Sequence, residues 1–342
     1  MTAQQFSGCR IRSADFSDFF SPHLRWSTLA TVFASWNPAQ PEISDLMIQH
    51  DSRTLQRLPV LKADLVALFS KFGNRQALRV IRDLPEHNGV LDARAIDGLF
   101  LTVHWEMQRL SEEFYHGRRV WELLRCLIAS IRQAGARQPL RIVDIGCGTG
   151  YTTRWLAANV PLAEYNLELV GMDLNSTLIA EASRLALAES LPCQFLHGDA
   201  FSVEHSGNIF LSTGVIHHFR GASLLEFLRR HEQAKTQAFL HFDFQPSLLA
   251  PFGSMFFHYL RMRTAIARHD GVLSAARAHT GKTLTGAANT AAPGFASAIY
   301  GSRIWKTPLP RVFHTLVGLR PALVPGFRQQ LGRRASRLGE LR

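Results

Sequence analysis

Two adjacent histidines, His217-His218, follow the apolar run Asn208 to Ile216, and Asp243 closes a second run that begins at Ala238. An imidazole titrating near neutrality suits removal of a proton from a phenol, enol or amine, and a nearby carboxylate can share that work or orient the ring. Neighbouring side chains on a helix diverge by about 100°, so only one of the two histidines is expected to face any one pocket. A second constellation lies upstream. Leu140-Arg141-Ile142 runs into Val143-Asp144-Ile145-Gly146-Cys147-Gly148-Thr149-Gly150, and a helical pattern follows from Tyr151 to Val160. Glycines at alternate positions let the backbone turn tightly and bring a ligand against bare amides at a helix N-terminus. A further strand, Leu167 to Met172, then ends in Asp173-Leu174, where an acid can hold the ribose hydroxyls of a nucleoside. Together these features predict a grip on an adenosine-containing ligand.

The spacing narrows the ligand. In the dinucleotide fingerprint the third glycine would fall at Tyr151, and no Lys-Ser/Thr pair follows the loop as a phosphate-gripping P-loop requires. Other segments extend the pattern. They are His197-Gly198-Asp199-Ala200-Phe201, then Asn208-Ile209-Phe210-Leu211-Ser212-Thr213-Gly214-Val215-Ile216-His217-His218-Phe219, then Ala238-Phe239-Leu240-His241-Phe242-Asp243-Phe244. In that order and with the D-x-G-x-G-x-G loop, the chain resembles the class I S-adenosylmethionine-dependent methyltransferases of small-molecule type. The resemblance implies an α/β fold, a Rossmann-like seven-stranded sheet with an α-helical N-terminal extension. It also implies S-adenosylmethionine as cofactor, held by Asp144, Gly146, Cys147, Gly148 and Gly150 in the loop and by Asp173 and Leu174 at the ribose. Asp199 and Ala200 would lie at the adenine, and Thr213 and Gly214 near the methionine end. Asp144 reads as positioning the loop. His217, His218 and Asp243 are the candidate catalytic residues, and methyl transfer from a sulfonium demands no metal.

The same resemblance bears on the acceptor. Amino-methyltransferases of nucleic-acid bases carry an Asn/Asp-Pro-Pro-aromatic motif after the fourth strand; Ser212-Thr213-Gly214-Val215 has no proline. The expected reaction is therefore methylation of an O, C or N atom of a small, partly apolar metabolite, with no clear nucleic-acid motif. The rivals are an RNA or protein methyltransferase gripping its substrate with a basic C-terminus, and a non-catalytic cofactor-binding partner subunit. Aminopropyl transfer ranks last, because acids to hold a polyamine are scarce between Ser212 and Phe219.

These residues need elements to hold them. With 342 residues, 46% of them hydrophobic and 19% charged, the chain is long enough for a substantial core. No apolar run reaches the roughly 18 residues of a membrane span, and no secretion signal is evident, so a cytoplasmic protein with reduced cysteines is expected. Cys9, Cys126, Cys147 and Cys193 are widely spaced and form no metal-ligand cluster. Residues 1–58 show no clear periodicity. From Leu58 to about Ala136 the apolar spacing is helical, with Asp92 as an N-cap and Tyr115-His116 as a possible cover for the site. This gives a mainly helical extension over 1–138 and a methyltransferase domain over 139–327. Within that domain, strand and helix alternate from 140 to 245, which implies a parallel sheet with right-handed crossovers. A lid-like insertion spans about 246–294, its Met255-Phe256-Phe257-His258-Tyr259-Leu260 segment able to wall an apolar pocket. Ala296–Ile304 and Arg311–Val317 are expected to close the sheet as an antiparallel pair.

Charge is unevenly spread. From Arg261 to Arg342 there are 14 Lys/Arg against Asp270 and Glu340, more than the whole net charge of +11. The cofactor motifs thus lie outside any basic field. Residues 328–342, with Arg328, Arg333, Arg334, Arg337 and Arg342, read as a basic C-terminal tail, solubilising and poorly ordered.

Overall fold

The segment Leu140–Ile145 forms an interior strand of a seven-stranded sheet because its alternate and consecutive apolar residues are covered on both faces. The computed structural model describes residues 36–51, 53–201, 207–247, 249–302 and 312–341. In chain order, the extension comprises helices α1 (Ile43–Met47), α2 (Lys62–Lys71), α3 (Arg75–Arg82), α4 (Ala93–Glu113) and α5 (His116–Gln133). The alternating core then gives β1 (Leu140–Ile145), α6 (Tyr151–Asn159), β2 (Leu167–Asp173), α7 (Ser176–Ala188), β3 (Gln194–His197), β4 (Ile209–Thr213), α8 (Ala222–Arg229) and β5 (Ala238–Phe244). Helices α9 (Ala250–Arg261), α10 (Ala265–Arg277) and α11 (Gly281–Ala291) precede β6 (Ala296–Ser302), β7 (Phe313–Leu319) and α12 (Val324–Leu331).

The strand order is β6-β7-β5-β4-β1-β2-β3. Strands β1 to β5 are mutually parallel, and β7 runs antiparallel to both β5 and β6, as the expected closing pair. Reversal of direction from β1 outward, to β2 on one side and β4 on the other, opens a crevice at the carboxyl ends where open α/β sheets bind ligands. Among the described residues, no helix is long and apolar enough to cross a membrane.

One face of the sheet packs on α5, α6 and α12 through Leu124, Leu127, Ile142, Leu240 and Phe327. The other packs on α8 and α11 through Val143, Phe210, Phe227, Phe239 and Leu284. Helices α1 to α4 build a separate cluster around Phe69, Ile81 and Ile96, to which α10 contributes Ile266. Buried Glu106 of α4 ties these parts together. Its carboxylate accepts from the amides of Arg263 and Thr264 and from the Thr264 hydroxyl, at the N-terminus of α10.

Three expectations change here. Residues 328–342 are no loose tail: α12 runs through the boundary drawn at 327/328 and buries Phe327 and Leu331, while Gly339 donates its amide to the Ile299 carbonyl at 2.9 Å. Arginines dominate the composition of that stretch, but apolar residues at helical spacing decide its packing. The insertion between β5 and β6 is a lid only in part, since α11 packs into the core beneath the sheet. Finally, the wall of the site is α10; none of α9, which carries the aromatic run, lines the cavity. Residues 1–35 of the extension, and Arg342, lie outside the described residues.

Three core histidines set the acid limit of stability. Burial drives His116 down to about 3 and His231 to about 4, and His241 well below its usual value. All three sit among phenylalanine rings; neither ring nitrogen of His116 has a hydrogen-bond partner, and the Nε2 atoms of His231 and His241 have none. Their folded pKa lies below the unfolded value, so the unfolded chain binds more protons once pH falls under about 6.5. The contribution of these three is full above that pH and falls as pH drops through 6 and 5, by roughly 1.4 kcal/mol per unit for each histidine. Denaturant midpoints measured from pH 7.5 to 4.5 should show this slope; a flat profile would mean that the rings accept protons without cost.

Candidate active site

The loop after β1 turns because Gly146, Gly148 and Gly150 all have positive φ, at +67°, +56° and +75°. The left-handed region costs glycine little and other residues considerably more. Its amides are held from the next strand: Gly146 and Cys147 donate to the Met172 carbonyl at 2.8 and 3.1 Å. Asp173, at the end of β2, accepts from the Gly148 amide at 2.9 Å through one oxygen and from the Asn175 amide at 2.9 Å through the other. One carboxylate thus fixes both the loop and the start of α7.

Below the loop, Asp144 is buried at 3% exposure. Thr153 donates to its Oδ2 at 2.8 Å, whereas Oδ1 has no partner. Burial pushes its carboxyl up to about 7, against the Thr153 hydrogen bond and helped by the charge of Asp173. An orphaned carboxylate oxygen this deep suits a cationic or hydrogen-bond-donating ligand.

A cavity of about 440 Å3 opens at the carboxyl ends of β1, β2, β4 and β5. It brings together Asp144, Gly146, Cys147, Gly148, Asp173, Leu174, Asp199, Ala200, Thr213, Gly214, His217, His218 and Asp243. Gly150 is the exception among the expected cofactor residues. It starts α6 with its Cα backed by Phe195 and Ala182, so it shapes the loop from behind. The half-buried Cys147 thiol is pushed well above its usual range by burial, next by the charges of Asp173 and Asp144. It is small loop filling, with no thiolate character.

The cover over the loop comes from α4. Phe100, Val103, His104 and Met107 line the cavity, and a Cβ on Gly148 would lie 2.8 Å from His104 Cδ2. Of the two residues expected as cover, Tyr115 is exposed and His116 is packed between Phe242 and Phe313 at the cavity's edge.

The histidine pair departs most from expectation. Residues 216–218 form one short 3-10 turn, and the rings of His217 and His218 lie 4.3 Å apart, both lining the cavity. They turn the same way because each is held by a carboxylate. His217 Nδ1 contacts both oxygens of Asp243 at 2.9 Å, and Asp243 also accepts the His217 amide at 3.0 Å. His218 Nδ1 lies 2.7 Å from Asp45 Oδ1. On its far side, His217 Nε2 stands 3.4 Å from Glu42 Oε1, without a hydrogen bond. Burial opposes charge on His217, but Asp243 and Glu42 together raise its pKa far above the usual value. Burial likewise works against Asp243, and the facing imidazolium still holds its carboxyl low. An imidazole flanked by two buried carboxylates keeps its proton near neutral pH, so His217 does not act there as a general base.

Glu42 and Asp45 lie outside the sequence-derived site. Glu42 caps the N-terminus of α1 and Asp45 lies in its first turn, with the Glu42 amide donating to Asp45 Oδ2 at 3.2 Å. Helix α10 anchors them: Asp270 accepts the Ile43 and Ser44 amides, Ser274 donates to Glu42 Oε1 at 2.9 Å, and Arg277 meets Asp45 Oδ2 at 3.0 Å. The only local signal was a cap-like Glu-x-x-Asp spacing at a helix start, and nothing in it points 170 residues downstream.

Comparison with known proteins finds a family match and similar solved structures. Residues 142–234 match the family described as a methyltransferase domain. No curated protein matches the chain in sequence. Among solved structures, the chain is similar to the plantazolicin methyltransferase BamL in complex with a triazolic desmethylPZN analog and SAH (13% identity, 64% of this chain and 89% of that one, TM-score 0.46). It is also similar to magnesium protoporphyrin IX methyltransferase from Synechocystis PCC 6803 with bound SAH (15% identity, 76% and 99%, TM-score 0.40). A SAM-dependent methyltransferase from Aquifex aeolicus gives 10% identity over 59% and 92%, at a TM-score of 0.39. The family match spans β1 to α8 around the alternating-glycine loop, so residues 142–234 of this seven-stranded sheet are similar to a methyltransferase domain, consistent with a class I S-adenosylmethionine-dependent methyltransferase.

Proposed function

We propose that the protein transfers the methyl group of S-adenosylmethionine to an O, C or N atom of a small, partly apolar metabolite. The observation that carries this reading is a single cavity that joins the glycine loop to the Glu42–His217–Asp243 cluster and is walled by Phe100, Phe201, Phe219, Phe244 and Phe313. A volume of about 440 Å3 lies in the range of small-molecule sites. Arg328, Arg333, Arg334 and Arg337 belong to C-terminal elements that contribute nothing to the lining, which speaks against a macromolecular grip at this cavity.

The residues fit the cofactor. Asp144 Oδ1 offers an unpaired buried acceptor, the glycines bring the loop backbone to the cavity without side chains, and Asp173 and Asp199 line the same cavity as candidates for ribose and adenine. When bound, the sulfonium supplies a methyl group already activated for in-line displacement. The chain supplies the rest. Asp173 and the loop orient the donor, α4 and α10 exclude water, and the His217–His218 turn with Asp243 positions the acceptor atom.

Asp173→Ala removes the anchor of both the loop and the α7 start, together with the ribose contact. Cofactor affinity should fall by roughly 1–3 kcal/mol, about 5- to 150-fold, in a calorimetric titration. An unchanged affinity would contradict the ribose assignment.

The acceptor class is tested by label transfer. Protein incubated with methyl-labelled S-adenosylmethionine is offered pooled phenols, enols, amines and apolar acids and, separately, total RNA and total protein. Label in the small-molecule pool is the expected outcome. Label confined to RNA or protein would overturn the proposal.

A further inference from the structure

We propose that Glu42, His217 and His218 form a binding site for a divalent transition-metal cation at the acceptor end of the cavity. Methyl transfer itself calls for no metal, and the sequence suggests none; the inference comes from how three distant segments meet. The ligand-capable atoms of these residues lie within 4.8 Å of one another, and all three residues line the cavity.

Each ring is prepared as a metal ligand would be. When Nδ1–H donates to a carboxylate, the ring is oriented and Nε2 becomes the ligand atom once its proton is released to an incoming cation. Here His217 Nδ1 meets Asp243 at 2.9 Å and His218 Nδ1 meets Asp45 at 2.7 Å. Those outer carboxylates are themselves held, Asp243 by two backbone amides and Asp45 by Arg277. The third ligand, Glu42, is oriented by the Ser274 hydroxyl.

The second observation is a buried ring nitrogen without a hydrogen-bond partner, aimed at a carboxylate across the cavity. His217, at 3% exposure, has an Nε2 with no hydrogen-bond partner, and it stands 3.4 Å from Glu42 Oε1. A positive charge belongs between these two atoms, and a divalent cation can take the place of the ring proton there. Ligands about 2.1 Å from one metal at near-tetrahedral angles are separated by roughly 3.4 Å, and at right angles by roughly 3.0 Å. The observed gap matches that edge. His218, with 30% of its side chain exposed, has room to close the third position.

Two imidazoles and one carboxylate favour Mn, Fe, Co, Ni or Zn over Mg or Ca. Three protein ligands leave positions open toward the cavity. That arrangement selects an acceptor bearing a hydroxyl or enol oxygen. Coordination lowers the pKa of such a group, and its proton leaves to solvent. The oxygen forms the new C–O bond as the C–S bond breaks, and the electron pair stays on sulfur as a neutral thioether. This use of the metal rests on the methyl-transfer reading above, whereas metal binding does not.

The test is a titration of chelator-treated, desalted protein with Co2+ alone, followed by its visible d–d absorption. Neither cofactor nor acceptor is present, so failure here is distinct from failure of the label-transfer experiment. One equivalent of Co2+ is expected to bind. Glu42→Gln and His218→Gln should each weaken that binding by roughly 100-fold, and His87→Ala, an exposed histidine far from the cluster, should not change it. Thermal melts establish that both variants remain folded. No stoichiometric binding by the unaltered protein would overturn the site, and so would undiminished binding in both folded variants. In that case the charge between His217 and Glu42 is a proton only.

Discussion

Gly148→Val is expected to weaken S-adenosylmethionine binding by about 100-fold or more while leaving the fold intact. Gly148 sits at φ +56°, where a β-branched residue is a genuine outlier costing on the order of 1–3 kcal/mol. The new Cβ would also meet His104 Cδ2 at 2.8 Å, so the loop can relieve the strain only by pushing into the cavity or lifting α4. Either route moves the loop backbone away from the cofactor or narrows its space, and losses totalling about 3 kcal/mol correspond to roughly two orders of magnitude in Kd. Gly73→Val is the control. It carries similar strain at φ +65° with nothing within 4 Å of its Cβ, on a turn that does not line the cavity. It should lower stability and spare affinity. Equal affinity of Gly148→Val and unaltered protein would show that the loop does not approach the cofactor.

His217→Ala should carry the largest combined effect on stability and turnover. It leaves Asp243 and Glu42, at 2% and 3% exposure, facing each other without the ring between them. Breaking a buried ion pair by removing one partner typically costs about 3–5 kcal/mol, since the remaining charge stays buried and unpaired. Turnover should drop by about 100-fold or more, because the acceptor loses the side chain that positions it. The double variant with Glu42→Gln separates the two effects. Neutralising one carboxylate should restore part of the stability, read from denaturant midpoints, and none of the turnover. A single variant as stable as the parent would mean that solvent already reaches the cluster.

What was legible in the sequence was local. Alternating glycines between a strand and a helix, and acids closing successive strands, reflect short-range spacing, and the parallel sheet follows from the strand–helix rhythm. The site's acceptor half depends on contacts between residues far apart in the chain. Glu42 reaches His217, and Asp45 reaches His218, only because Asp270, Ser274 and Arg277 pull α1 onto α10. No periodicity within either segment encodes that meeting. The histidine pair was misjudged because helical divergence was assumed for a three-residue turn whose rings follow their carboxylate partners. At the C-terminus, the arginine count hid Leu323, Phe327 and Leu331, whose four-residue spacing makes a buried helix face.

The most direct test is a calorimetric titration of the purified protein with S-adenosylmethionine and, in parallel, with NAD. The account predicts one sulfonium bound per chain at micromolar affinity, lost in Gly148→Val, and no response to NAD. Absence of sulfonium binding, or equal binding of NAD, would contradict the assignment of this cavity to methyl transfer.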